Sequence, residues 1–220
     1  MFPVPHINEE NVLTTLEEKV DPRHSAVIVV DVQNDFCHTE GFIRKLGIDV
    51  SASQAMVPHL ENFIEEARKS KVEVVFVQAI YNNQYLGGPF KEKDLKAGLK
   101  DERCVEGSWG AGFYKVDPLP SETVIQKHRY SPFVGTEFGK VLQEKGIKTL
   151  ILTGVTTNVC VESTARDAFM RDYYVVFLND CTATYSQEAH ESTLSNIRRH
   201  FGVVVGSGEV VAIWRGENRV

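Results

Sequence analysis

Short apolar runs punctuate this chain at intervals. The first, Ser25-Ala-Val-Ile-Val-Val-Asp31, is unbroken and ends on a charge. Unbroken β-branched runs suit strands covered on both faces, as in parallel sheets. Val72 to Val77, Thr123 to Gln126, Thr149 to Thr153 and Tyr174 to Leu178 have the same character, and Val203 to Val205 is a shorter one. Helical spacing fills the gaps. Leu60, Phe63, Ile64 and Ala67 share one face, with Pro58 expected in the first turn or at a kink. Thr136 can cap a helix carrying Phe138, Val141 and Leu142 and stopped by Gly146. Val159 to Met170 forms another. Thr184 with Gln187 reads as a capping box for a last helix through Leu194, Ile197 and Phe201 to Gly202. Strands alternating with helices predict one doubly wound α/β domain over residues 1–220.

Two stretches stand apart. Residues 1–22 read as an N-terminal arm, broken by Pro3, Pro5 and Pro22, with a short helical pattern from Asn11 to Val20. Residues 81–120 fit neither period and hold Gly87, Gly88, Pro89, Gly107, Gly110 and Gly112. A long irregular segment inside a compact domain is usually functional, a lid or pocket wall, and otherwise a solvated insertion.

Composition narrows the picture. The 220 residues are 42% hydrophobic and 25% charged, ordinary globular usage that argues against disorder. The net charge of −6 speaks against a nucleic-acid partner. No run reaches the length of a membrane span, and the opening MFPVPHINEE lacks the pattern of a secretion signal. The four cysteines are scattered without a CxxC pair, which predicts free thiols in the cytoplasm.

The candidate chemistry lies where the strands end, the edge at which open α/β sheets bind ligands. Asp31 closes the first run, Lys127 follows the third, and Cys160 comes just after the Gly154–Asn158 turn in the first turn of a predicted helix. Free N–H groups and a positive field at a helix start favour thiolate, so the Cys160 pKa is expected to fall below its reference of about 8.5. The same N–H groups can hold an oxyanion. Singly, each residue has an ordinary structural explanation: a small buried hydrophobe, a turn residue, a paired lysine. Together they supply a nucleophile, a base for its proton and a cation to hold both, which is what cysteine hydrolysis of an amide needs.

Three segments carry a resemblance. Val29-Val30-Asp31-Val32-Gln33-Asn34-Asp35-Phe36, Gln126-Lys127-His128-Arg129-Tyr130-Ser131 and the stretch from Thr153 to Asp167 are similar, in this order, to the isochorismatase-like cysteine hydrolase superfamily. The likeness covers about residues 24 to 206 and is strongest toward ureidoacrylate amidohydrolases, then biuret hydrolases and N-carbamoylsarcosine amidases. It implies a three-layer α/β/α fold with a six-stranded, mainly parallel sheet. It also implies a catalytic triad of Asp31, Lys127 and Cys160, a cis peptide at Val155–Thr156, and an oxyanion hole from the N–H groups of Thr156 and Cys160. Gln78-Ala79-Ile80-Tyr81 departs from the ureidoacrylate pattern, which has Asn and Trp there, so the end of the pocket that takes the substrate's acid is open.

The resemblance implies a small amide or ureide substrate and a homo-oligomer, dimer or tetramer, to which the arm could contribute. Nicotinamidases of the superfamily hold a metal through an Asp-x-His pair where this chain has Tyr81-Asn82-Asn83, so no metal and no other cofactor is expected. His6, His24, His59, His190 and His200 read as surface or capping residues. Candidate substrate contacts are Gln33, Asn34, Phe36, Trp109 and Tyr130, with Phe133 as a further aromatic. Gln33 could instead hold the local turn. Arg129 and Arg166 could bind a carboxylate. Cys37, Cys104 and Cys181 lack a constellation of their own. The rival readings are a nicotinamidase-like or other amide hydrolase, vinyl-ether hydrolysis of isochorismate (against which Cys160 argues), a non-catalytic binding member and a redox-sensing thiol.

Overall fold

The computed structural model describes residues 12–99 and 102–217. Six strands form one sheet: β1 (Ser25–Val30), β2 (Glu73–Ala79), β3 (Thr123–Lys127), β4 (Thr149–Val155), β5 (Tyr174–Ala183) and β6 (Val203–Val205). Their order is β3-β2-β1-β4-β5-β6, and every pair is parallel. The fold is therefore three-layered α/β/α, with a wholly parallel rather than mainly parallel sheet. β1 is buried along its whole length. Val27 and Val29 pack with Phe63 and Phe76 on one face, while Ala26, Ile28 and Val30 pack with Phe138, Leu142 and Phe177 on the other. That alternation explains why the run shows no polar position.

Chain direction away from β1 reverses between β1 and β4, and the crevice beyond their carboxyl ends is where such sheets bind ligands. Val30 stands opposite Gly154 in that pairing. Gly154 takes φ +100°, and a side chain there would run into the Val30 backbone. Only glycine lets the two strand ends lie this close.

Nine helices among the described residues cover the sheet. α1 (Leu16–Lys19) is shorter than the predicted arm helix, because Thr15 caps it in a box with Glu18. Residues 1–11 of the arm, with His6, lie outside the described residues. From residue 12 the arm packs on its own domain: Leu16 joins the core, and Trp214 Nε1 donates to the Val20 carbonyl at 2.7 Å. α2 (Asn34–Cys37) and α3 (Phe42–Lys45) follow β1. α4 (Ser51–Lys69) begins before Pro58, which lies well inside it rather than in its first turn. The buried Met56, Val57, Leu60 and Phe63 hold the helix through that missing hydrogen bond. α5 (Gly88–Lys96) falls in the segment predicted to be irregular, with Pro89 in its first turn and no buried residue.

α6 (Phe138–Glu144) has Glu137 and not Thr136 at its N-cap; Thr136 lies one residue earlier, its Oγ1 accepting the Phe138 N–H, and the helix ends near Gly146 at φ +66°. α7 (Glu162–Phe169) is preceded by a π-helical turn, Thr157–Val161, so Cys160 sits in a wider turn than the predicted helix start. α8 (Gln187–His200) is capped by Ser186, whose hydroxyl accepts the Ala189 N–H, and not by Thr184. Thr184 is held elsewhere, donating to Asn158 Oδ1 at 2.7 Å. α9 (Ser207–Trp214) closes the described chain and packs Trp214 on Phe63. No described helix is long and apolar enough to cross a membrane.

Candidate active site

The three candidate catalytic side chains arrive from three strand ends. Asp31 directly follows β1 and takes φ +52°, a left-handed conformation that Asp tolerates better than most residues. Lys127 ends β3, with β2 lying between it and β1. Its long side chain crosses the end of β2 to reach Asp31. The Lys127 ammonium stands 2.8 Å from Asp31 Oδ2 and 3.5 Å from Cys160 Sγ, and donates to the Arg129 carbonyl at 3.0 Å. Tyr81 Oη lies 3.4 Å from the same nitrogen. The Lys127 charge holds the Asp31 carboxylate, and the Cys160 thiol also lies within its reach.

Burial dominates the electrostatics. It pushes Asp31 above the usual carboxylate value, opposed by the Lys127 charge. Burial lowers Lys127, but Asp31 and Cys160 together outweigh it and leave the ammonium above its usual value. Burial pushes the Cys160 thiol up to about 12, with Lys127 opposing and Asp31 reinforcing. The sequence-based expectation of a depressed thiol pKa is therefore reversed. Loss of water around the sulfur outweighs the Lys127 ammonium and favours the thiol form.

The turn that carries Cys160 is fixed from outside the pocket. Thr164 Oγ1 donates to the Cys160 carbonyl at 2.7 Å, and Thr157 Oγ1 lies 2.9 Å from His190 Nδ1. His190 thus braces this turn and is neither a helix cap nor a free surface residue. The Val155–Thr156 peptide is cis, and the Thr156 N–H has no acceptor among the described residues.

Cys160 opens into a pocket of about 420 Å³. Phe36, Tyr130 and Thr156 line it, beside Phe42, Ile43, Asn158 and Tyr185. The other candidate contacts lie elsewhere. Gln33 is fully buried. Its Nε2 donates to the Ala79 and Ala111 carbonyls and its Oε1 accepts the Ala79 N–H, so it joins the ends of two strands to the following loop and has no group left for substrate. Asn34 Nδ2 donates to the Trp109 carbonyl. Trp109 is 53% exposed, edge-on to His38, and does not line the pocket. Phe133 packs against Phe138 and Tyr173. Arg129 is engaged with the Tyr85 and His128 carbonyls, and Arg166 with Glu162 and the Phe201 ring, so neither reaches the pocket. Cys37, Cys104 and Cys181 are buried free thiols. Among the described residues, no group of three or more His, Cys, Asp or Glu could hold a metal ion.

Sequence reasoning missed several pocket residues. Tyr81, Lys93, Asp94 and Arg103 come from the 81–120 segment, which Asp35 gathers in by accepting the Cys104 N–H at 2.6 Å. No periodic pattern marks them.

A parallel α/β sheet with an Asp–Lys–Cys cluster at its switch point defines a class of hydrolase-like proteins, and comparison with known proteins specifies it. Residues 25–209 match the isochorismatase domain model. The chain is 37% identical to the ureidoacrylate amidohydrolase RutB of Enterobacter sp. (strain 638), over 83% of this chain and 86% of the relative. An isochorismatase-like hydrolase from Alkaliphilus metalliredigens superposes with a TM-score of 0.76 at 30% identity, covering 87% of this chain and 99% of that one. N-carbamoylsarcosine amidase from Thermoplasma acidophilum shares the fold, with a TM-score of 0.68 at 24% identity over 84% and 96% of the two chains. This chain belongs to the isochorismatase family.

Proposed function

We propose that this isochorismatase-family hydrolase is a cysteine-dependent amidohydrolase that cleaves the terminal C–N bond of a small ureido or carbamoyl compound. The observation that carries the reading is Lys127 Nζ standing between Asp31 and Cys160, at 2.8 and 3.5 Å, with Cys160 lining a pocket a small molecule can enter. The ureidoacrylate amidohydrolase relative supports the substrate class.

Asp31 takes the thiol proton as Cys160 Sγ attacks the carbonyl carbon, which overcomes the raised thiol pKa at the moment of reaction. Lys127 balances the charge that appears on sulfur. The Thr156 and Cys160 N–H groups receive the oxyanion. Collapse of the tetrahedral adduct breaks the terminal C–N bond, and Asp31 returns its proton to the departing ammonia. The acyl group remains on sulfur as a thioester-type intermediate. Water, activated by Asp31, then splits the C–S bond, releasing a carbamate and restoring the thiol.

Ammonia release from ureidoacrylate, biuret, N-carbamoyl amino acids and nicotinamide by wild type and Cys160→Ala tests the reading. Turnover of a ureide that falls by about 10⁴-fold or more in Cys160→Ala supports it. Unchanged turnover in that variant defeats it, and a preference for nicotinamide moves the chain to another branch of amide hydrolysis.

A further inference from the structure

Tyr81 closes Gln78-Ala79-Ile80-Tyr81, the stretch in which the chain departs from the ureidoacrylate pattern. It lines the same pocket as Cys160, and the proposed chemistry leaves its hydroxyl unused. The residue is only 3% exposed. Its N–H donates to the Cys104 carbonyl at 3.1 Å. Its ring lies 5.7 Å from that of Phe90 and 5.4 Å from the Arg103 guanidinium. These contacts fix the ring with its hydroxyl beside Lys127.

Four groups surround Lys127 Nζ: Asp31 Oδ2 at 2.8 Å, the Arg129 carbonyl at 3.0 Å, Tyr81 Oη at 3.4 Å and Cys160 Sγ at 3.5 Å. An ammonium has three protons. The two short contacts take two of them, so Tyr81 Oη and Cys160 Sγ share the third. Oη accepts from the ammonium, which turns the phenol's own proton away from that nitrogen. Cys160 lies within hydrogen-bonding reach of the same hydroxyl. Burial and the neighbouring Cys160 and Asp31 hold the phenol well above its ordinary 10.0, so it keeps its proton through the neutral range.

We propose that Tyr81 is a fourth catalytic residue, whose hydroxyl donates a hydrogen bond to the Cys160 sulfur as the thiol proton passes to Asp31, and so stabilises the attacking thiolate. This rests on Cys160 being the nucleophile of the amidohydrolase reading. In that step the S–H proton moves to Asp31 and the phenol keeps its own. A charged sulfur is a stronger acceptor than a neutral hydroxyl, so it claims the shared ammonium proton as well. One cationic and one neutral donor then replace the water that burial removed. When sulfur bonds to carbon its charge is gone, and both donors are released.

Alkylation by iodoacetamide, followed peptide by peptide with mass spectrometry, reads the Cys160 thiolate without any substrate. Tyr81→Phe keeps the ring and removes the hydroxyl. Losing a hydrogen bond to an anion lowers the thiolate fraction by about 10- to 100-fold, and the greater reactivity of a more basic thiolate returns about half of that on a logarithmic scale. Alkylation of Cys160 at pH 8 should therefore slow by roughly 3- to 10-fold in Tyr81→Phe. With a ureide that the enzyme turns over, kcat should fall by roughly 10-fold and KM stay within about threefold. 3-Fluorotyrosine in place of Tyr81 is a more acidic phenol of nearly the same shape, hence a stronger donor, and should alkylate at Cys160 at least as fast as wild type. Cys160 alkylation in Tyr81→Phe as fast as in wild type, or a raised KM with kcat unchanged, overturns the proposal. Label that spreads to Cys37, Cys104 and Cys181 marks a lost fold in Tyr81→Phe. The fluorotyrosine protein then decides alone, and slower alkylation of it than of wild type overturns the proposal. Alkylation that depends on the Tyr81 hydroxyl, with no ureide turned over by wild type, leaves this role standing and overturns the amidohydrolase reading instead.

Discussion

Asp31 and Lys127 form an ion pair at 2.8 Å in which neither side chain is more than 1% exposed. Two charges taken this far from water lose about as much in hydration as they regain in attraction, so the pair adds little to stability as a unit. Removing one member is another matter. Lys127→Met should lower the unfolding free energy by about 3–5 kcal/mol, because a buried carboxylate is left without its counter-charge. Asp31→Asn with Lys127→Met should lose clearly less than the single variant. Denaturant titration of the three proteins measures both effects, and equal losses would show that the pair is not coupled.

Activity should have an acid limb set by Asp31. Burial holds this carboxyl above the usual 3.8, so the base is protonated, and kcat/KM declines, at a higher pH than an exposed aspartate would require. A pH–rate profile with no decline above the ordinary carboxylate range contradicts this assignment. Asp31→Asn should reduce kcat by roughly 10²- to 10⁴-fold.

Folding stability should carry the signature of the buried thiol. Its value rises from 9.0 in the free residue to about 12 in the folded protein. The unfolded chain therefore loses the thiol proton first, and the native state binds more protons between those values. The contribution is present in full below pH 9 and is lost as pH rises toward 12. Buried Cys37 and Cys181 act in the same direction. The test is thus the difference between wild type and Cys160→Ser: the variant should lose stability less steeply over that window. Parallel curves contradict it.

Gln33 should behave as a structural pin. Gln33→Ala deprives the buried Ala79 N–H and the Ala79 carbonyl of the Gln33 side chain and leaves the Ala111 carbonyl to Gln78 alone, a loss of roughly 2–4 kcal/mol. Thermal unfolding reads the change. A variant as stable as wild type with a raised KM would return Gln33 to the role of substrate contact.

Gly154→Ala should be among the most damaging single-methyl additions. Its φ of +100° and the Val30 backbone against its α-carbon exclude a side chain, at a cost of about 2–4 kcal/mol. Because Gly154 begins the passage from β4 to Cys160, activity should fall even where the variant folds.

The strands and the Asp–Lys–Cys cluster were legible because each is a local pattern: an apolar run, then a polar residue at its end. The resemblance added that the three ends meet. Residues whose role is set by distant partners were not legible. α5 has no fully buried residue and only Phe90 packs inward, so no apolar period marks Gly88–Lys96 as a helix. Ser186 displaces Thr184 as a cap because Asn158, 26 residues earlier, captures the threonine hydroxyl. The direction of the Cys160 shift depends on burial that only the packed fold supplies. Trp109 looked like a pocket aromatic by neighbourhood in sequence, yet its loop turns it outward against His38. Arg103 carried no motif at all, since its place in the pocket wall is set by Asp94, Tyr81 and Phe42 around it.

The central claim is covalent catalysis by the sulfur of Cys160, and trapping the intermediate tests it most directly. Wild-type protein mixed with a ureide it turns over is acid-quenched within the first turnovers, digested and mapped by mass spectrometry. The account predicts the mass of the substrate less ammonia on the peptide carrying Cys160, and none in Cys160→Ala. Label on a peptide bearing Cys37, Cys104 or Cys181, or turnover by Cys160→Ala at the wild-type rate, contradicts it.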